Sequence, residues 1–245
     1  MRTITLMAVT SSTETLMFDG FVDTQTEVMD QIIEIFDVSN YNAVVCLNNY
    51  GISANLQVVN VDTSMVVYSE TISLIQDHIT DWWDYFFSPN YIGRDLVWYF
   101  PKLTNATATI TIDNPGDIAK CGMCLQGMSE DAGKTQWGSR LGISDYSVVA
   151  TNSFGLTYLS VGAWAKRINA DVTVPNTGID KVFNTVVANR AAVSVYDFNN
   201  YDFTDTGTSM NGISAYIVVG FLESFEPSLA SPLQNVVGME IRGIR

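Results

Sequence analysis

Basic charge is scarce in this chain. Lys and Arg number 12 against 26 Asp and Glu, for a formal net charge of −14. Nucleic-acid binding draws its affinity from Lys and Arg that displace counterions from phosphates, so no nucleic-acid partner is expected. The same deficit disfavours docking on an anionic membrane. Histidine is scarcer still, His78 being the single one. Cysteine occurs at 46, 121 and 124. An odd count without a secretory leader argues against a disulfide scaffold. No stretch approaches the roughly 18–20 apolar residues of a membrane span. The opening Met1-Arg2-Thr3-Ile4-Thr5-Leu6-Met7 is too short and polar an apolar run for a signal peptide, so a mature cytosolic product is expected. Charged residues make up 16% of the chain, against about 25% in a typical globular protein. Asn, Thr, Ser, Gly and contacts with other subunits must cover the remaining surface. Nucleophile-elbow, Walker and dinucleotide signatures are all missing, so neither an enzyme nor a cofactor is expected.

What fills the chain is β-forming sequence. A length of 245 suits one large β-rich domain or two smaller ones. Strand patterns are read at Thr3 to Val9, Asn42 to Asn48, Ser53 to Val61 and Leu96 to Phe100. The run Thr107-Ala108-Thr109-Ile110-Thr111-Ile112 has the highest β-propensity, and Asn114-Pro115-Gly116 reads as a turn after it. Further strands are read at Tyr146 to Ala150, Thr157 to Ala165, Ala170 to Val174, Ile213 to Phe225 and Val236 to Ile244. Between Thr24 and Asp37 the spacing suits a helix or a strand. Two helices are predicted. In 69–87, Ile72, Ile75, Ile79, Trp82, Trp83 and Phe86 form a stripe, with Ser69 as cap and Ser88-Pro89 as stop. In 177–190, the apolar face is Ile179, Val182, Phe183, Val186 and Val187, and Thr177 with Asp180 resembles a capping box. The expected fold is α+β and β-dominant, with mixed or antiparallel, sandwich-like sheets and two amphipathic helices. It divides into a half over 1–128 and a half over 140–245, or runs as one continuous domain.

Several side chains invite chemistry. Cys121-Gly122-Met123-Cys124 is a CxxC, but zinc takes four ligands, and Cys46 with His78 fits no finger spacing. Buried structural thiols are the stronger reading. His78, between Asp77 and Asp81, lacks a neighbouring nucleophile in sequence. The loop carrying Asp197, Asp202 and Asp205 lacks the EF-hand order, and Glu223 with Glu226 lacks a matching carboxylate pattern. No metal site is therefore expected. Asn105-Ala106-Thr107 is a glycosylation sequon without a secretory context. Trp82-Trp83-Asp84-Tyr85-Phe86-Phe87 covers more than one helix face. Three roles remain open for it: core packing, a protein interface, or a sugar platform. Trp82, Trp83, Tyr85, Phe86 and Phe87 are the candidate interface residues.

Five segments carry a resemblance: Asp81-Trp82-Trp83-Asp84-Tyr85-Phe86-Phe87-Ser88-Pro89; Ala108-Thr109-Ile110-Thr111-Ile112-Asp113-Asn114-Pro115; Leu141-Gly142-Ile143-Ser144-Asp145-Tyr146-Ser147; Phe154-Gly155; and Ala165-Lys166-Arg167-Ile168-Asn169-Ala170-Asp171-Val172-Thr173-Val174 ahead of a helix. Their order and spacing, over roughly residues 40 to 225, resemble structural proteins of tailed-bacteriophage particles, of the tail, baseplate or head–tail region. Val148 stands where that family often has a basic residue. The resemblance implies a virion subunit made in the host cytoplasm, partnered by copies of itself in a ring-like homo-oligomer and by other virion proteins. It implies no catalytic residues. The strands at Ile213 to Phe225 and Val236 to Ile244 are expected to need covered edges. A carbohydrate-binding module recognising a host surface is the alternative expectation.

Overall fold

The computed structural model describes residues 1–7, 15–19, 21, 24–76, 82–87, 91–92, 94–151, 153–190, 192–199, 214–228 and 233–244. The strands are β1 (Arg2–Met7), β2 (Thr26–Asp37), β3 (Ala43–Asn49), β4 (Ser53–Asn60), β5 (Met65–Ser73), β6 (Ile75–Gln76), β7 (Tyr91–Ile92), β8 (Arg94–Tyr99) and β9 (Ala106–Cys121). They continue as β10 (Met123–Asp131), β11 (Lys134–Thr135), β12 (Arg140–Asp145), β13 (Val148–Thr151), β14 (Thr157–Ser160), β15 (Trp164–Pro175), β16 (Ser194–Asp197), β17 (Ile217–Ser228) and β18 (Gln234–Gly243). Among the described residues the α-helices are α1 (Trp82–Phe87) and α2 (Ile179–Ala188), with short 3-10 turns at Leu16–Phe18, Asn176–Gly178 and Ser214–Tyr216. The chain divides into two compact units, Leu6–Ser129 and Glu130–Arg245 with Met1–Thr5.

In the Leu6–Ser129 unit, one antiparallel sheet has the order β2-β9-β4-β5, and β10, β3 and β8 pair antiparallel in that order. Both sets contribute to one core. Ile32 and Phe36 enter from β2, Leu56 and Val58 from β4, and Ile110 and Ile112 from β9. Val44 and Cys46 come from β3, and Leu96 and Trp98 from β8. The Thr/Ile alternation of β9 causes this directly: even-numbered residues from Ala106 to Ile112 are buried, and the threonines between them are half-buried. The ambiguous Thr24 to Asp37 segment is strand β2. Asn114-Pro115-Gly116 does not reverse the chain. It forms a bulge inside β9, where the register against β2 passes from Asp30↔Asn114 to Met29↔Ile118. Gly116 takes φ +84°, its N–H donates to Asp30 Oδ1 at 2.8 Å, and Asn114 Nδ2 donates to the Ile118 carbonyl at 2.8 Å.

The other unit is a sheet with the order β11-β15-β18-β17-β16-β1, and β12 also pairs with β15. Ile168, Ala170, Val172 and Val174 of β15 pack with Val237, Met239 and Ile241 of β18, under Val182 of α2. The strand β18 is paired on both flanks, by β15 and β17, whereas β17 meets β16 only over Ile217–Gly220, and among the described residues its stretch Phe221–Ser228 pairs with β18 alone. The sheet itself covers both edges of β18 and of Ile217–Gly220, while one edge of Phe221–Ser228 has no partner strand among the described residues, so the expectation of edge cover narrows to that stretch.

Of the two predicted amphipathic helices, the described residues contain one. It is α2, with Val182 buried and Ile179 and Val186 packed on the core. Phe183 and Val187 are exposed, so its buried face is narrower than the sequence suggests. Gly178 is the N-cap and no side chain caps it, so the Thr177–Asp180 capping box does not form. The predicted helix 69–87 is a correction. Its first part is β5, in which Tyr68, Glu70, Ile72 and then Leu74 fall on the more buried side with a period of two. Cross-strand pairing of Ala54↔Ile72 and Val58↔Tyr68 outweighs the helical spacing of the isoleucines. Residues 77–81 lie outside the described set, and among the described residues of this span the six of α1 are helical.

Candidate interaction surfaces

The aromatic segment singled out in the sequence forms α1. Trp82, Trp83 and Phe86 are 79%, 69% and 65% exposed. Trp82 and Phe86, four residues apart, stack with ring centroids 6.2 Å apart and planes 20° apart, as the helical repeat dictates. These three side chains are thus outside the core. Tyr85 and Phe87 belong to the same helical turn, but their side chains, like His78, Asp202 and Asp205, lie outside the described set.

A second apolar surface escaped sequence reasoning. The strands β12 and β15 pair from Arg140↔Asn169 to Asp145↔Trp164. Tyr146 N–H then donates to the Ala163 carbonyl at 2.9 Å, and Gly162 N–H to Ser147 Oγ at 3.0 Å. Pairing resumes from Val148↔Ser160 to Thr151↔Thr157 in β13 and β14. The result is one long two-stranded ribbon. Its base is tied down by Arg242, which donates to Tyr146 Oη (2.6 Å) and to Glu223 Oε1 (3.2 Å). Glu223 is therefore engaged in a surface ion pair. The ribbon beyond Asp145 is exposed on both faces, with Val148, Val149, Leu159 and Val161 between 60% and 83% exposed. The sequence signal was strand-forming residues, Val148-Val149 and Thr157-Tyr158-Leu159, in a stretch from Leu141 to Trp164 whose one charged residue is Asp145.

In the Leu6–Ser129 unit, the flanking strands β2 and β5 also carry exposed apolar residues, among them Met29, Ile33, Ile35, Met65 and Val66. A third feature, in the other unit, is an open groove of about 670 Å³ lined by Asp131, Lys134, Gln136, Trp137 and Gln234. Trp137 is exposed at it.

The CxxC closes between β9 and β10, and Cys124 stands opposite Cys46 on β3. All three thiols are free and buried. Burial pushes the Cys46 and Cys124 thiols above their ordinary range, and the neighbouring sulfurs add to the effect at Cys46. Among the described residues no cluster of His, Cys, Asp and Glu is arranged to hold a metal ion. Burial shields all three sulfurs from a reagent in solution, so Ellman's reagent at pH 8 is expected to label none of the three in the folded protein and all three in denaturant. Rapid labelling of Cys121 or Cys124 in the native state would contradict this arrangement. The linkage has a definite sign. A thiol whose folded pKa is raised favours the fold below the unfolded value, about 8.5, and that contribution is lost as pH rises above it. Unfolding midpoints are therefore expected to fall between pH 8 and 10, and less steeply in Cys46→Ala.

Among the described residues no helix is long and apolar enough to cross a membrane. No family model, curated protein or solved structure matches the chain.

Proposed function

We propose that this chain is a structural subunit of a tailed-bacteriophage particle, placed in the tail, the baseplate or the head–tail junction. It works by assembly with copies of itself and with other particle proteins, not by catalysis. The observation that carries this reading is the exposure of Trp82, Trp83 and Phe86. Large aromatics on one helical turn are the residues that dominate protein interfaces once desolvated. A β-dominant antiparallel fold and a charged share of 16% agree with it, as does the resemblance carried by the five sequence segments. The test is the absolute mass of the purified protein by light scattering, with negative-stain images of the same peak. A closed ring or tube is expected. A single species of 27.0 kDa at every concentration would overturn self-assembly and shift the weight to the carbohydrate-binding reading below. In Trp83→Ala and Phe86→Ala, assembly is expected to weaken at least tenfold while the melting temperature of the monomer moves little.

A second reading rests on the Trp137 groove. An exposed indole beside Asp131, Gln136 and Gln234 offers a stacking plate with planar hydrogen-bonding groups, the chemistry of sugar recognition. Binding on a glycan array that disappears in Trp137→Ala would favour a carbohydrate-binding module. An array without signal removes that reading.

A further inference from the structure

We infer that the β12–β15 ribbon is an assembly arm whose outer part, β13 and β14, docks on the same arm of a second copy of this chain. The inference deepens the assembly reading above and rests on it.

Four observations carry it. First, an isolated two-stranded ribbon is marginal in water, and three or more strands are needed for independent stability. Among the described residues β13 and β14 pair only with one another, in the register Val148↔Ser160 to Thr151↔Thr157. Second, the ribbon has apolar residues on both faces. Cross-strand partners share a face, so Val149 and Leu159 lie on one side and Val148 and Ala150 on the other. With Ile143, Phe154 and Val161 also more than half exposed, each face of the arm presents apolar side chains to solvent, and clustered exposed apolar surface marks an interaction site.

Third, the charge pattern selects the partner. Asp145 is the only charged residue from Leu141 to Trp164, in a chain whose net charge is −14. Two such acidic copies repel over most of their surface, and the uncharged arm is where they approach at least cost. A foreign partner steered by charge would find nothing on the arm to steer it. Fourth, self-pairing satisfies the backbone. A two-fold axis beside β13 or β14 sets that strand antiparallel to its own copy, and two ribbons become a four-stranded antiparallel sheet with its interior edges paired.

The test uses the full chain and the paired substitution Val149→Lys with Leu159→Glu. These positions face one another, so the exchange keeps a cross-strand attraction within the ribbon while removing its apolar face. The wild type is expected to form species with an even number of 27.0 kDa subunits. The double variant is expected to raise the dissociation constant of the pair about 100-fold, with an unchanged thermal melt. A second measurement guards against misfolding of the variant: hydrogen exchange on the wild type. The amides of Val148–Thr151 and Thr157–Ser160 are expected to be protected at high concentration and to lose protection on dilution. If the double variant assembles like the wild type, or protection ignores dilution, the arm inference falls while the assembly reading stands. A wild type that is monomeric at every concentration overturns both the arm inference and the self-assembly on which it rests. Protection that arises only when other particle proteins are added makes a foreign chain the occupant and overturns self-pairing.

Discussion

Trp98→Ala is expected to destabilise the Leu6–Ser129 unit by about 3–5 kcal/mol, the range for truncating a large buried aromatic. Trp98 is 1% exposed and is among the largest side chains fully enclosed in the protein. It enters from β8 opposite Val44 of β3, in the core that both strand sets share. Removing the indole leaves a cavity that strands paired on fixed registers cannot collapse to fill. The indole N–H contributes little against this, because among the described residues it has no hydrogen-bond partner. Trp98→Phe, which keeps an aromatic ring and deletes that orphaned donor, is therefore expected to cost less than half as much. Denaturant midpoints followed by circular dichroism compare the three proteins directly. An alanine variant with the wild-type midpoint would mean that the core does not depend on this side chain.

Gly220→Val is expected to prevent the other unit from folding, or to cost it at least about 3 kcal/mol. Gly220 of β17 stands between Ser194 of β16 and Gly243 of β18. A Cβ at 220 would lie 2.1 Å from the Arg242 carbonyl oxygen and 2.7 Å from Gly243 Cα, and both atoms are backbone. Neither can rotate away, so the strands must separate in the middle of the sheet. Gly142→Ala is the control, since the nearest atom to its Cβ would be the Arg167 carbonyl oxygen at 3.9 Å. Expression, solubility and melting temperature of the two variants should diverge sharply. Equal behaviour would show that the close approach at Gly220 relaxes easily.

The parts of the fold that were legible in the sequence are those in which a local pattern and its burial have one cause. Thr107 to Ile112 alternates by residue type because one face meets the core, and β9 follows. Ile179, Val182 and Val186 are spaced for a helix on a sheet, and α2 follows. Ile72, Ile75 and Ile79 carry a spacing that a helix also satisfies, and only pairing with β4 makes Ile72 part of a strand. That pairing is a long-range fact which no window of the sequence contains. The exposure of Trp82, Trp83 and Phe86 was similarly out of reach, because aromatic residues in a helix serve a core and an interface with the same spacing. The ribbon is the sharpest case. Val148, Val149 and Leu159 have ordinary strand propensity, and nothing local says that their strands continue past the end of the sheet.

The bulge at Asn114-Pro115-Gly116 inverts the phase of a strand. Three residues, 115 to 117, lie between the two registers of β9 against β2. Three is odd, and successive side chains in a strand alternate sides. Up to Asn114 the even-numbered residues of β9 are the buried ones, and at Ala119 and Cys121 the odd-numbered ones are. A continuous strand would place Lys120 in the core and Cys121 on the surface. The loop-out thus lets a single strand of 16 residues serve one interior along its whole length, and it delivers Cys121 to the same buried cluster as Cys46 and Cys124. A deletion of Pro115 alone would change the parity while keeping every flanking residue. Its effect would be felt downstream of the turn, in what faces the core.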